Sequence, residues 1–302
     1  MSVHRSTYQK YMITIPSEST RSLSKGMQLF SLLNPIHMVR SLYRNRELIW
    51  SLTKREVKST YQSSFLGALW PLILPLMMLL IYTFVFSVIF QAKWSTNAGQ
   101  ETPPGEFALI LFAGLTPFTL FSAVTTRSPS LILAVPNYVK RVVFPLEILP
   151  VVIIGAAFIT SLINVGLILL GSFIVFHSLP FTIFLLPLAY LPLILITLGL
   201  GWFLSSLGVF VRDVGLAINI IMQVLLFITP IFYSADQVPG ALRFLIILNP
   251  LSSIIDSFRR ILIWNEFIDW GTWGIATLLS ALVAILGFAW FSATKKAFSD
   301  VM

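Results

Sequence analysis

The chain has 302 residues, of which 57% are hydrophobic and only 11% charged, against about 25% charged in a soluble domain. Folding such a sequence in water would expose more apolar surface than a monomer can hide, which excludes a soluble enzyme. The net charge is +8, and the absence of cysteine excludes disulfide, iron–sulfur and thiolate chemistry.

Residues 1–35 are polar and basic, with Ser17, Ser19, Ser22 and Ser24 around Pro16 and no apolar core of signal-peptide length. They are expected to form a solvated cytoplasmic tail. Residues 36–69 predict an amphipathic helix. Met38, Val39, Leu42, Ile49 and Leu52 share one face, and Arg40, Arg44, Glu47, Lys54, Arg55 and Lys58 the other. A helix so divided lies along a membrane surface, with its basic side toward headgroups or a partner. A plain juxtamembrane helix without a partner fits the same pattern.

Six segments then satisfy the roughly 20 apolar residues of a membrane span. The first, over 71–90, carries no charge, and its Tyr82, Phe86 and Phe90 recur every four residues on one helical face. The second covers 107–126, between Glu106 and Arg127. From Glu147 to Arg212 the only acid, base or histidine is His177, so this run predicts two spans, 148–176 and 180–211, joined at His177-Ser178-Leu179-Pro180. The fifth span, 214–234, follows Arg212-Asp213 and carries Asn219, Gln223, Phe227 and Tyr233. The sixth covers 271–294, leaving 295–302 as a cytoplasmic tail. Sixteen of the twenty Lys and Arg fall on one side of this arrangement. The positive-inside rule therefore puts both termini in the cytoplasm, and the basic character is topological, not a nucleic-acid footprint. Pro75, Pro117, Pro187, Pro192 and Pro230 lie inside spans, where each freed carbonyl needs another donor.

Two segments between spans stand out. Pro136 to Pro145 is short, basic and apolar enough to dock on a cytoplasmic subunit, or to turn back against the bundle. Between 235 and 270, residues 242–248 and 251–262 are helical in pattern but too short to span. They predict two re-entrant or interfacial outer helices around Asn249-Pro250. The alternative is an outer lid without a transport role.

Several chemistries are missing. No Gly-x-x-x-x-Gly-Lys-Ser/Thr sequence is present, so ATP is not hydrolysed through a P-loop of this chain. His4, His37 and His177 are far apart, so no histidine metal site is expected. No span carries paired carboxylates of the kind an ion-driven pump needs.

Lys54-Arg55-Glu56-Val57-Lys58, leading through Tyr61 to Gly67-Ala68-Leu69-Trp70-Pro71, resembles the start of the ABC-2 permeases that export polysaccharides such as O-antigen, capsule and teichoic acid. Tyr82 to Phe86, Val142 to Pro150, Phe210 to Asp213, Thr229 to Tyr233, and Asn249-Pro250 followed by Arg259 continue the likeness in order. The resemblance implies an all-α integral membrane fold of six transmembrane helices, with an N-terminal interface helix and two short re-entrant outer helices. It implies a homodimer in the bacterial cytoplasmic (inner) membrane, bound to two copies of a cytoplasmic ATPase that itself binds ATP and Mg, with no cofactor on this chain. A lipid-linked polysaccharide would be the cargo and membrane lipid the surroundings. Asn137, Tyr138, Val139, Lys140, Arg141 and Phe144 become the coupling segment, and Arg55 and Lys58 belong to the interface helix. Arg212 and Asp213 become boundary charges. Asn249, Pro250 and Arg259 become the outer gate. Tyr82, Phe86, Phe90, Asn219, Gln223, Phe227 and Tyr233 are the candidate path lining, although such an aromatic stripe also fits lipid contact or packing. An ABC-2 exporter of teichoic acid, lipid or a small drug shares these features. A membrane-embedded glycosyl- or acyl-transferase would need a carboxylate or histidine cluster that the sequence lacks.

Overall fold

In lipid, a long apolar run satisfies its backbone only as a helix or within a closed barrel. In the computed structural model, which describes residues 35–61, 69–90, 94, 105–140, 144–240 and 243–301, all regular structure is helical. The expected N-terminal tail and Arg141 lie outside the described residues. Two helices, α1 (Pro35–Arg44) and α2 (Arg46–Tyr61), precede the bundle. The bundle elements are α3 (Trp70–Tyr82), α4 (Glu106–Arg127), α5 (Pro136–Lys140), α6 (Ile148–Phe176), α7 (Leu186–Phe210) and α8 (Val214–Ile228). Then come α9 (Arg243–Leu248), α10 (Pro250–Arg259), α11 (Trp270–Thr294) and α12 (Phe298–Val301).

Four helical stretches are long and apolar enough to cross a membrane: Glu106–Ser130, Ile148–Phe176, Phe181–Phe210 and Trp270–Val301. Two of the expected spans are shorter, Trp70–Phe86 and Val214–Ile228. At 1.5 Å per residue, the fifteen residues of α8 reach about 22 Å, short of a ~30 Å hydrocarbon layer. The six apolar helices alternate in direction. The ends of α4 and α11 meet the start of α6 at one end, which carries most of the basic residues and is called here the basic end. Most of α4 is buried and forms the centre, packed on α3, α6, α7, α8 and α10.

The amphipathic segment is not one helix, because the chain breaks at Asn45, whose side-chain amide donates to Ser41 O (2.8 Å). Met38 is buried and Leu42, Ile49 and Leu52 are partly buried, but Val39 is 59% exposed. Thr53, absent from the expected apolar face, is buried against Gly155 of α6, where a side chain would collide with it.

Glycines set the closest crossing. A Cβ on Gly287 of α11 would run into the backbone of Gly199 in α7, so these helices touch main chain to main chain. Pro192 behaves as its chemistry requires. Pro192 removes the donor that would bond Leu188 O four residues back, and the indole Nε1 of Trp273 in α11 donates to that carbonyl instead (2.8 Å).

Candidate functional site

At the basic end, Glu147 sits just before α6 and gathers three elements. Its carboxylate accepts from Ser41 Oγ of α1 (3.1 Å) and from Lys295 Nζ at the end of α11 (2.6 Å), while its carbonyl accepts from Trp202 Nε1 of α7 (2.8 Å). Burial alone would raise this carboxyl, but the hydrogen bond and charge of Lys295, with help from Ser41, carry it below the usual glutamate value. Glu56 of α2 pairs with Arg127 at the end of α4. Arg55 and Lys58 on the same helix are exposed.

The expected coupling segment contains the short helix α5, which includes Asn137, Tyr138, Val139 and Lys140. Asn137 is exposed, and Tyr138 stacks on Phe144 with ring centroids 4.6 Å apart. Both rings pack on the inner core that contains Met38, Trp202 and Phe298, so α5 rests on the bundle and on α12. Arg212 and Asp213 are exposed at the turn into α8.

The candidate path residues fall on two separate helices. Beyond Tyr82 the chain continues as wide π turns over Thr83–Ile89, a form common at functional sites. There the rings of Tyr82, Phe86 and Phe90 follow one another at 6.4 and 5.9 Å, and Phe86 also meets Phe107 at 5.3 Å. Asn219, Gln223 and Phe227 share an exposed face of α8 with Leu216, Ile220 and Val224. Asn219 bonds only within its own helix, to Gly215 O (2.8 Å). Tyr233 turns back to cap the same helix, its hydroxyl donating to Phe227 O (3.0 Å) and Ile228 O (2.9 Å). Helix α3 packs on α4 and α6, and α8 on α4 and α7.

The opposite end, the expected outer one, is built around Arg259. This arginine is 3% exposed and donates to three main-chain carbonyls, Ile110 of α4 (3.2 Å), Pro230 (2.7 Å) and Ile231 (2.6 Å). The last two belong to the broken backbone beyond α8, which is buried and so needs donors. Trp94 covers the guanidinium, with its ring centroid 4.4 Å away. Gly114 makes the room, since a Cβ there would stand 2.7 Å from Nη2. Asn249 completes the join. Its Oδ1 caps α10 by accepting from Leu251 N (3.1 Å), and its Nδ2 donates to Thr229 Oγ1 (2.9 Å), while Pro250 opens the helix. The sequence marked Asn249, Pro250 and Arg259 but not their partners. An arginine within an apolar segment, next in order to a Thr-Pro break, was the available signal.

No group of three or more His, Asp or Glu that could hold a metal occurs among the described residues. An all-helical bundle with several helices of spanning length and almost no ionisable group inside them defines a multi-pass membrane protein of the transport type. Residues 47–263 match the ABC-2 type transporter family, and the chain belongs to it. It is 25% identical over 258 residues to the O-antigen export system permease protein RfbA of Klebsiella pneumoniae, covering 85% of this chain and 95% of that protein. It is 28% identical to RfbA of Myxococcus xanthus, covering 83% and 91%. Against the polysialic acid transport protein KpsM of Escherichia coli the figures are 25%, with 82% and 93% covered.

Proposed function

We propose that this chain is the permease subunit of an ATP-driven exporter that carries a lipid-linked polysaccharide, such as O-antigen, across the bacterial inner membrane. The observation that carries the reading is its likeness, over more than nine-tenths of their length, to permeases named for O-antigen export and polysialic acid transport. The chain works as a homodimer with both termini cytoplasmic, bound to two ATPase subunits that hold ATP and Mg. Six helices cross the membrane, α3 and α8 being the shorter two, and α9 and α10 dip in from outside.

The chemistry of α8 supports the conduit. Asn219 and Gln223 lie on a face left exposed by the described residues of the protomer. Side-chain amides are costly against lipid, so that face belongs against a second copy or a watery path. Phe227, stacked on Phe232 at 5.7 Å, and the rings of α3 offer flat apolar contact to sugar C–H groups without ion-like trapping. ATP binding in the partner pushes on α5, whose Tyr138–Phe144 stack passes the movement to the inner core. At the other end, Arg259 ties α10 to α4 and to the break after α8. The outer gate therefore moves with those elements and not as a free flap.

Deleting the gene should abolish surface polysaccharide and leave lipid-linked polymer inside the cell. Expression of the intact chain with its ATPase should restore the surface polymer, and expression with a hydrolysis-deficient ATPase should not. Undiminished surface polysaccharide in the deletion strain would refute the reading.

A further inference from the structure

The bend between α1 and α2 carries a strongly basic face that no step of the export mechanism above uses. Arg40, Arg44 and Arg46 gather there around an open recess of about 460 Å³, lined also by Tyr43 and Glu47. Further along α2, Lys54, Arg55 and Lys58 are exposed as well. Among the described residues none of these six cations makes an ion pair. Of the two carboxylates on α2, Glu56 is taken by Arg127, which leaves Glu47 alone against six positive charges. Like charges gathered in this way repel one another until an anion joins them.

The level of this face relative to the bundle is set by packing. Thr53 of α2 lies against Gly155, the eighth residue of α6, about 10 Å along the axis from Ile148. A surface helix sits about 5–10 Å into the boundary between headgroups and acyl chains. Helix α2 therefore runs beside the ends of the long apolar helices and not beyond them. Its uncovered side is not purely polar, for Tyr43 is 68% exposed and Trp50 55%. The Arg46 guanidinium lies over the Tyr43 ring at 4.5 Å, and Lys54 Nζ over the Trp50 ring at 4.9 Å. Such pairs lay an apolar stem along a ring and carry the charge at the tip. Tyrosine and tryptophan, for their part, favour the headgroup level of a bilayer.

Charge and depth together select the anion. An acidic protein or a nucleic acid would satisfy the charge, but neither calls for exposed rings at headgroup level. An anionic phospholipid supplies both partners, a phosphate for the guanidinium forks and upper acyl carbons for the rings. Clusters of four to eight basic residues on an amphipathic helix are the sequence form of that attraction. The bend itself is built in, because Asn45 Nδ2 donates to Ser41 O (2.8 Å) where the two helices part. We propose that the recess at this bend binds the phosphate of an anionic phospholipid, held by Arg40, Arg44 and Arg46, with Tyr43 and Trp50 lodged at headgroup level. The seating of α1 and α2 then depends on membrane charge. The orientation proposed above makes the inner leaflet the source, and the binding itself is independent of the cargo.

The test is amide hydrogen exchange of the permease, with and without its ATPase, in two kinds of nanodisc. One holds only neutral phosphatidylcholine, and in the other about one lipid in three is phosphatidylglycerol. Both faces of a disc carry the same lipid, so neither the orientation nor the export reading enters the result. In the wild type the anionic lipid should slow exchange over residues 35–58 about tenfold, because each basic residue at an anionic surface adds a several-fold gain. High salt should remove the slowing. The triple substitution Arg40→Gln, Arg44→Gln and Arg46→Gln should abolish it, with exchange and melting in neutral discs as in the wild type. Tyr43→Ala with Trp50→Ala should reduce it several-fold. A wild type whose exchange over 35–58 ignores phosphatidylglycerol overturns the proposal, as does a triple variant that responds like the wild type. So does protection that needs the ATPase and is equal in both lipids, because the face is then a protein-docking site. Failure of the export reading shows instead as intact surface polysaccharide in the deletion strain.

Discussion

The two ends of the bundle hold their peripheral helices by opposite means. At the basic end, α2 and the end of α11 are fastened by ion pairs between partly exposed side chains, Arg127 with Glu56 and Lys295 with Glu147, and α1 by the hydrogen bond of Ser41 to Glu147. Such pairs contribute about 0–1 kcal/mol each and weaken with salt. At the outer end, α10 is fastened by a buried arginine to three carbonyls with no carboxylate among its hydrogen bonds. There water does not compete, so making the contact matters greatly and losing it leaves bare carbonyls in a low-dielectric site. On the proposed export reading, the basic end can yield to a partner that pushes on it, whereas the outer end moves only as a block.

Substitutions should separate the two regimes, and the largest effect belongs to Arg259. Arg259→Met strands three acceptors at about 1–3 kcal/mol each, so the melting temperature of the purified protein should fall more than for any change at the basic end. Arg259→Lys should rescue little, because an ammonium cannot reproduce the planar fork. Next comes the main-chain crossing of α7 and α11. Gly287→Leu should cost about 1–3 kcal/mol by overpacking and lower the melting temperature, while Leu286→Ala on the exposed side of the same helix should not. Asn249→Ala removes a helix cap and the link to Thr229, and a loss near 1 kcal/mol should appear as faster hydrogen exchange over residues 250–259.

The smallest effect belongs to Glu147. Its carboxyl titrates lower in the folded protein than the ordinary glutamate value of 4.5, so its contribution is present above that value and is lost as the pH falls through the lower folded value. Glu147→Gln at neutral pH should therefore mimic acid. Both should speed hydrogen exchange in residues 35–44 by a few-fold without moving the global melt, and raised salt should act in the same direction. A global melt that moved as far for Glu147→Gln as for Arg259→Met would erase the contrast between the ends.

The long helices were legible because charge and proline mark their limits. Ile148–Phe176 runs from Glu147 to His177, which takes the left-handed conformation (φ 54°) at the helix end. The start of α7 was less clear, because Pro187 suits a first turn and residues 181–185 form a tighter 3-10 turn before it. The outer cap was only half visible. The family resemblance singled out Arg259, yet its acceptors lie 28, 29 and 149 residues away in sequence. Nothing in a linear pattern tells a carbonyl left free by a helix break from any other. The glycine that admits the guanidinium, Gly114, likewise looks like any small residue of a membrane helix.

The proposed homodimer places the exposed faces of α3 and α8 across a seam between two copies. The chain has no cysteine, so engineered ones report without background. Met77→Cys combined with Val224→Cys, both exposed positions, should give a disulfide-linked dimer in native membranes under mild oxidation. Leu170→Cys on α6 or Leu278→Cys on α11, equally exposed, should leave the chain monomeric on the same gel. Cross-linking at the α6 and α11 positions but at no pairing of α3 with α8 would contradict the account.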